Sequence, residues 1–223
     1  MTFETSKTLS GLGATLLFLA APLFLLLPSA TLIVGITGAI MLLIGLNGLA
    51  NYYKERGILN NSLLGVLAAV VGAVVITIVA LYVILSNITP LLQQIYPGWN
   101  GDWAALQNMT PDTSAFTADN IDISTFIPLL TGMIVVWALA WIVAIISGFF
   151  VRRSLKSIAE KSNIGLFGTA GMLILIGAFL GLVVFGYFLI WIGVLLAAIA
   201  FFQLRPSAPT VEPVVSPPTQ TAI

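Results

Sequence analysis

Two uncharged apolar runs, Leu9–Ala50 and Ile164–Leu204, are each about twice as long as a membrane is thick. A bilayer core of about 30 Å takes roughly 20 helical residues, and each run would be about 60 Å long as one helix. Each must therefore fold into a hairpin. The first has its break at Pro28-Ser29, because proline lacks a donor and disfavours helix in the residue before it. The second is predicted to turn near Gly186, where Phe185, Tyr187, Phe188 and Trp191 suit the membrane interface. Ser62–Asn87 and Phe126–Val151 supply one helix each. The expected fold class is all-α, a polytopic membrane protein with six transmembrane helices at about 9–27, 30–50, 62–87, 126–150, 164–184 and 187–204. Residues 1–8 precede them, an outer loop covers 90–125, and a proline-rich tail covers 205–223. The first span is read as retained, since its apolar run is long for a signal peptide and Pro28-Ser29-Ala30 is a poor cleavage site.

Charge supports the count. Only 7% of residues are charged, against about 25% in a globular domain, so the surface could not be kept in water. Four of the eight cations fall in VRRSLKSIAEKSN, Val151 to Asn163. With six spans, Lys7, Lys54, Arg56, Arg152, Arg153, Lys156, Lys161 and Arg205 all face one side. The loop opposite carries Asp102, Asp112, Asp119 and Asp122 and no cation. The positive-inside bias makes the cationic side cytoplasmic, with both termini there, in a multi-pass protein of the cell membrane. The basic stretch is thus read as a topology anchor, with a docking site for anionic lipid or a partner protein as the alternative.

Chemistry is restricted. With no cysteine and no histidine, disulfides, thiolate metal sites and the commonest general base are excluded. No Asp, Glu, Lys or Arg falls inside a predicted span, which argues against proton relays and intramembrane aspartyl proteolysis. The span polar groups Thr15, Thr37, Asn47, Thr77, Thr131, Ser147 and Thr169 suit helix contacts, with Asn47 read as an interhelical bond or interfacial cap. The chain is expected not to be an enzyme, with no catalytic, cofactor or metal residue assigned. Zero net charge leaves no electrostatic footprint for nucleic acid.

Small residues mark where helices approach. Gly177 with Gly181, Gly193 with Ala197, and Ala68 with Gly72 have small-xxx-small spacing, and Gly35, Gly38, Gly45 and Gly48 line one span. ERGILNNSLLG (Glu55–Gly65) and EKSNIGLFGTAG (Glu160–Gly171) share an acid–base pair, a polar turn and a glycine-bearing helix start. They suggest a weak repeat of two helical hairpins. In the outer loop Tyr96, Trp99 and Trp103 are expected at headgroup level, and Asp119 to Asp122 reads as a solvated turn rather than a calcium site. Asn108 is the candidate glycan acceptor. The tail, with its prolines, is expected to be disordered.

SKTLSGLGATLLFLAAP (Ser6–Pro22), YYKERGILNNSLLG, EKSNIGLFGTAGMLILIGAFL and GVLLAAIAFFQL (Gly193–Leu204) together resemble the archaeal membrane proteins grouped as domain of unknown function 996. The outer loop and tail carry none of the likeness. The resemblance implies an archaeal plasma membrane and no activity, so no site residue comes with it. Two functions remain open. One is a non-catalytic accessory subunit or scaffold whose partners are the lipid bilayer and other membrane subunits or itself. The other is a channel or carrier for a neutral or apolar small solute.

Overall fold

The computed structural model describes residues 1–112 and 123–206, and the regular structure among them is helical. Six helices are long and apolar enough to cross a membrane. They are α1 (Phe3–Leu26), α2 (Pro28–Tyr52), α3 (Arg56–Ile95), α4 (Ile123–Ser162), α5 (Gly165–Phe179) and α6 (Val184–Gln203). The break between α1 and α2 falls at Leu27, with Pro28 at the first position of α2, where its missing N–H costs nothing. The α5–α6 turn comes earlier than Gly186. A 3₁₀ turn, Leu180–Leu182, follows α5, and Val183 is the extended cap of α6. Gly186 instead lies in the first turn of α6, where a Cβ would collide with the backbone of Leu180 and approach the Gly177 carbonyl to 2.6 Å.

Each helix packs on its chain neighbours, and α6 closes back on α1 to complete a ring. That closure has a chemical cause. Pro22 inside α1 has no N–H to give the Phe18 carbonyl four residues back. Trp191 of α6 donates its Nε1–H to that carbonyl at 3.0 Å, and its ring stacks on Phe18 at 4.6 Å. A second tryptophan does the same for a helix end, Trp141 of α4 donating to the Phe179 carbonyl at the end of α5 (3.0 Å). In hydrocarbon an orphan carbonyl has no water to turn to, so these bonds select which helices meet.

The helices α1 and α2 cross at backbone distance. A Cβ on Gly45 would sit 2.5 Å from the Ser10 nitrogen, and one on Gly13 would sit 2.5 Å from the Leu42 nitrogen. Ser6 and Ser10 are fully buried in this seam, so small residues on both helices allow the approach.

The core lies at one end, hereafter the basic end. Leu49, Ile58, Ile158, Phe167, Phe201 and Leu204 from five helices are almost wholly buried there. The basic segment that reads in sequence as a connector is helical and forms the last three turns of α4. Val151, Ser154, Leu155 and Ile158 recur at helical spacing and turn inward, Leu155 and Ile158 being buried. The cations occupy the opposite face, where Lys156 pairs with Glu160 at 3.7 Å. The connector proper is Asn163-Ile164, with Asn163 in the left-handed region (φ 56°). The α2–α3 turn has the same form, Lys54 at φ 52° before an extended Glu55. The turns agree in backbone, yet the acid–base pairs do not superpose: Glu55-Arg56 opens α3, whereas Glu160-Lys161 ends α4.

The α3–α4 hairpin outruns the rest. Trp141 marks the level where α5 ends, and α4 continues from there to Ile123, about 27 Å further at 1.5 Å per residue. Phe18 and Trp191 each lie about two turns from the far ends of α1 and α6, so those ends are level with one another. Beyond them α3 and α4 pack mainly on each other, Val83 filling the space over Gly132. Pro90 lies inside α3, so the outer loop begins at Tyr96 rather than at residue 90. Trp99 is only 3% exposed, held by its own Nε1–H donated to the Asp102 carbonyl (2.7 Å) and packed edge-on to Trp103. It is therefore the core of a small cap and not a headgroup anchor.

Candidate functional site

Two features are candidates for function: the interior of the ring and the polar clefts at the basic end. The interior contains a cavity of ≈ 200 Å³ that every helix lines, through Leu17, Leu46, Val66, Leu155, Ile174 and Phe201 among others. A second space of ≈ 290 Å³ shares Val151 and Ile174 with it and continues toward the middle of the bundle. The walls are almost wholly aliphatic and aromatic. Ser62 is the one hydroxyl on the first, and it is already committed: Ser62 donates to Ser154 (2.8 Å), which donates to the Ile58 carbonyl (2.7 Å). Each such bond contributes about 1 kcal/mol, so the pair fastens α3 to α4 rather than offering a reactive group. Among the described residues no group of three or more metal-ligating side chains occurs.

At the basic end two clefts differ in charge. One, ≈ 360 Å³, is bounded by Glu55, Asn61, Arg153, Lys156 and Glu160 and is balanced. Glu55 caps the Gly57 amide (3.3 Å) and pairs with Lys161 at 3.6 Å, tying the α2–α3 turn to the α4–α5 turn. The other, ≈ 540 Å³, has Lys7 and Arg205 in its wall and no acid. Tyr53 nearby has a phenol pushed above its usual pKa, first by burial and then by Tyr52 beside it.

All eight cations, including the predicted anchors Lys54, Arg56, Arg152, Arg153, Lys156, Lys161 and Arg205, sit at this end. The predicted packing residues are used within the chain. Gly72 meets Val143, and Gly177 meets Ile190 and the Gly186 carbonyl. Gly181 lies 3.5 Å from Trp141 by its would-be Cβ, Gly193 lies on Ala170 and Ile174, and Ala197 lines the first cavity. Ala68 is half-buried one turn from Gly72. Of the span hydroxyls, Thr15, Thr77, Thr131 and Thr169 bond back to their own helices and Ser147 crosses to the Gly65 carbonyl (3.0 Å). Asn47 is exposed and makes no hydrogen bond among the described residues, contrary to its expected role. Asn108 ends a short 3₁₀ turn, Ala105–Asn108, and is exposed. Asp119, Asp122 and the tail from 207 lie outside the described residues. The cavity was missed from sequence because its lining is scattered over six helices at ordinary apolar positions.

Six apolar helices in a ring, with every cation at one end, define a polytopic α-helical membrane protein. Residues 34–195 match the family described as "Protein of unknown function (DUF996)", and the chain belongs to it. The match takes in the outer loop and begins after Ser6–Pro22, so the likeness is distributed differently from the sequence resemblance. No curated protein and no solved structure matches the chain.

Proposed function

We propose that the protein is a non-catalytic accessory subunit or scaffold of the cell membrane, with both termini in the cytoplasm. The observation that carries this reading is the α3–α4 overhang. Gly132 is filled from within the hairpin by Val83, yet beyond the level of Trp141 α3 and α4 expose Ile78, Leu81, Ile84, Leu130, Met133 and Ile134, where among the described residues the two helices pack mainly on each other. A partner helix or a second copy laid there would gain van der Waals contact that lipid alone supplies less well. Mild detergent extraction followed by native mass spectrometry tests it. A stoichiometric co-purifying chain, or a defined oligomer lost on Ile134→Asn, is expected; a lone monomer under all extraction conditions overturns it.

Orientation has its own test, made simple by the absence of native cysteine. In intact cells, Asp112→Cys is expected to react with an impermeant maleimide and Lys54→Cys only after lysis. The reverse pattern would invert the assignment. A second reading, a carrier for a small apolar solute, is favoured by the aliphatic interior spaces. Flux into liposomes of such a solute, absent from protein-free controls, would put it first.

A further inference from the structure

We infer that the cleft between the start of α1, the α4–α5 connector and the end of α6 binds the headgroup of an anionic phospholipid. Its walls are Lys7, Arg205, Ser162, Gln203, Ile164 and Phe202. The two cations come from opposite ends of the chain, brought together only because α6 closes on α1. Lys7 is the more enclosed, its side chain 20% exposed, and it pairs at 3.8 Å with Glu4, which stands outside the cleft's lining. Arg205 is exposed and has no ion pair among the described residues. The neighbouring cleft on the same end shows what a charge-neutralised arrangement looks like here: Arg153 and Lys156 face Glu55 and Glu160. The α1–α6 cleft lies at the same end of the bundle, yet the cations in its wall have no acid among the residues that line it.

The cleft is also amphipathic, which decides between a lipid and a free anion. Phe202 forms its apolar wall, 47% exposed, and its ring lies flat over Gly11, where a Cβ would come within 2.8 Å of the Cζ atom. A phosphate held by Lys7 and Arg205 would therefore have its glycerol and first methylenes against an exposed aromatic face continuous with the bilayer. Basic pockets between helices at this depth recognise anionic headgroups through point charges at the rim and chain contact below. This site does not depend on the accessory role proposed above.

The test uses the full chain in detergent, with native mass spectrometry during titration of phosphatidylglycerol or phosphatidylcholine. Wild type is expected to bind one phosphatidylglycerol in preference to phosphatidylcholine. The double variant Lys7→Gln/Arg205→Gln should lose about tenfold or more of that preference, as expected for two cations near a membrane surface. Lys7→Arg/Arg205→Lys, which keeps both charges, should retain it, and Arg153→Gln in the balanced cleft should leave it unchanged. Equal binding of the two lipids, equal loss in Arg153→Gln, or loss in the charge-keeping variant overturns the site. Binding of glycerol 1-phosphate as tight as that of the lipid overturns the lipid assignment in favour of a free anion.

Discussion

Gly45→Leu should unfold the α1–α2 hairpin's packing and lower stability by about 2–3 kcal/mol, toward the upper end for overpacked positions. At Gly45 the atoms in the way are the Ser10 hydroxyl, nearest of all, and then the Ser10 amide nitrogen and the Ser6 carbonyl, 2.5 and 2.8 Å from a Cβ. The hydroxyl could rotate away, but the other two are backbone atoms, so the two helices must separate. Separation also loosens the reciprocal contact of Gly13 with Leu42 and exposes Ser6 and Ser10, both fully buried. The control is on the same helix: Gly35 has nothing within 4 Å of its would-be Cβ, so Gly35→Leu should be close to neutral. Reversible unfolding in mixed micelles, followed by circular dichroism, compares the two. Similar destabilisation by both would mean that helix propensity or lipid contact, and not close approach, governs these positions.

Trp191→Phe is expected to cost about 1–3 kcal/mol, the penalty for leaving a buried carbonyl without a donor. Phenylalanine keeps most of the stack on Phe18 and removes only the Nε1–H that reaches the Phe18 carbonyl. That carbonyl is orphaned because residue 22 is proline, which makes the prediction a coupled one. In a Pro22→Ala background the helix recovers its own donor, so the same Trp191→Phe change should cost markedly less. A coupling of about 1 kcal/mol or more between the two positions is expected from such a shared partner. Strict additivity of the two changes would show that the indole holds the ring closed by packing alone.

These two seams show what kind of information the sequence carried and what it did not. Pro28, the lengths of the apolar runs and the one-sided distribution of Lys and Arg were legible, because hydrophobic length and charge position are local properties tested against a bilayer of fixed thickness. The amphipathic end of α4 was also present in the spacing of Val151, Leu155 and Ile158, though the density of cations there draws the eye to a loop. Of the two left-handed turns, Asn163 is a residue type that favours this conformation, whereas Lys54 carried no such signal. The cationic cleft could not be seen at all: Lys7 and Arg205 stand at opposite ends of the chain.

By itself the sequence determined that this chain crosses hydrocarbon six times and gathers its cations at one end of the bundle. Only the tertiary structure decided that α6 packs back against α1 to complete the ring, that α3 and α4 overreach the other four, and that all six helices line one aliphatic cavity. The reason lies in the solvent. Lipid rewards every apolar helix alike and so counts them, but it gives no preference among partners. That choice falls to orphan carbonyls and to glycine seams, which act only once the helices stand side by side.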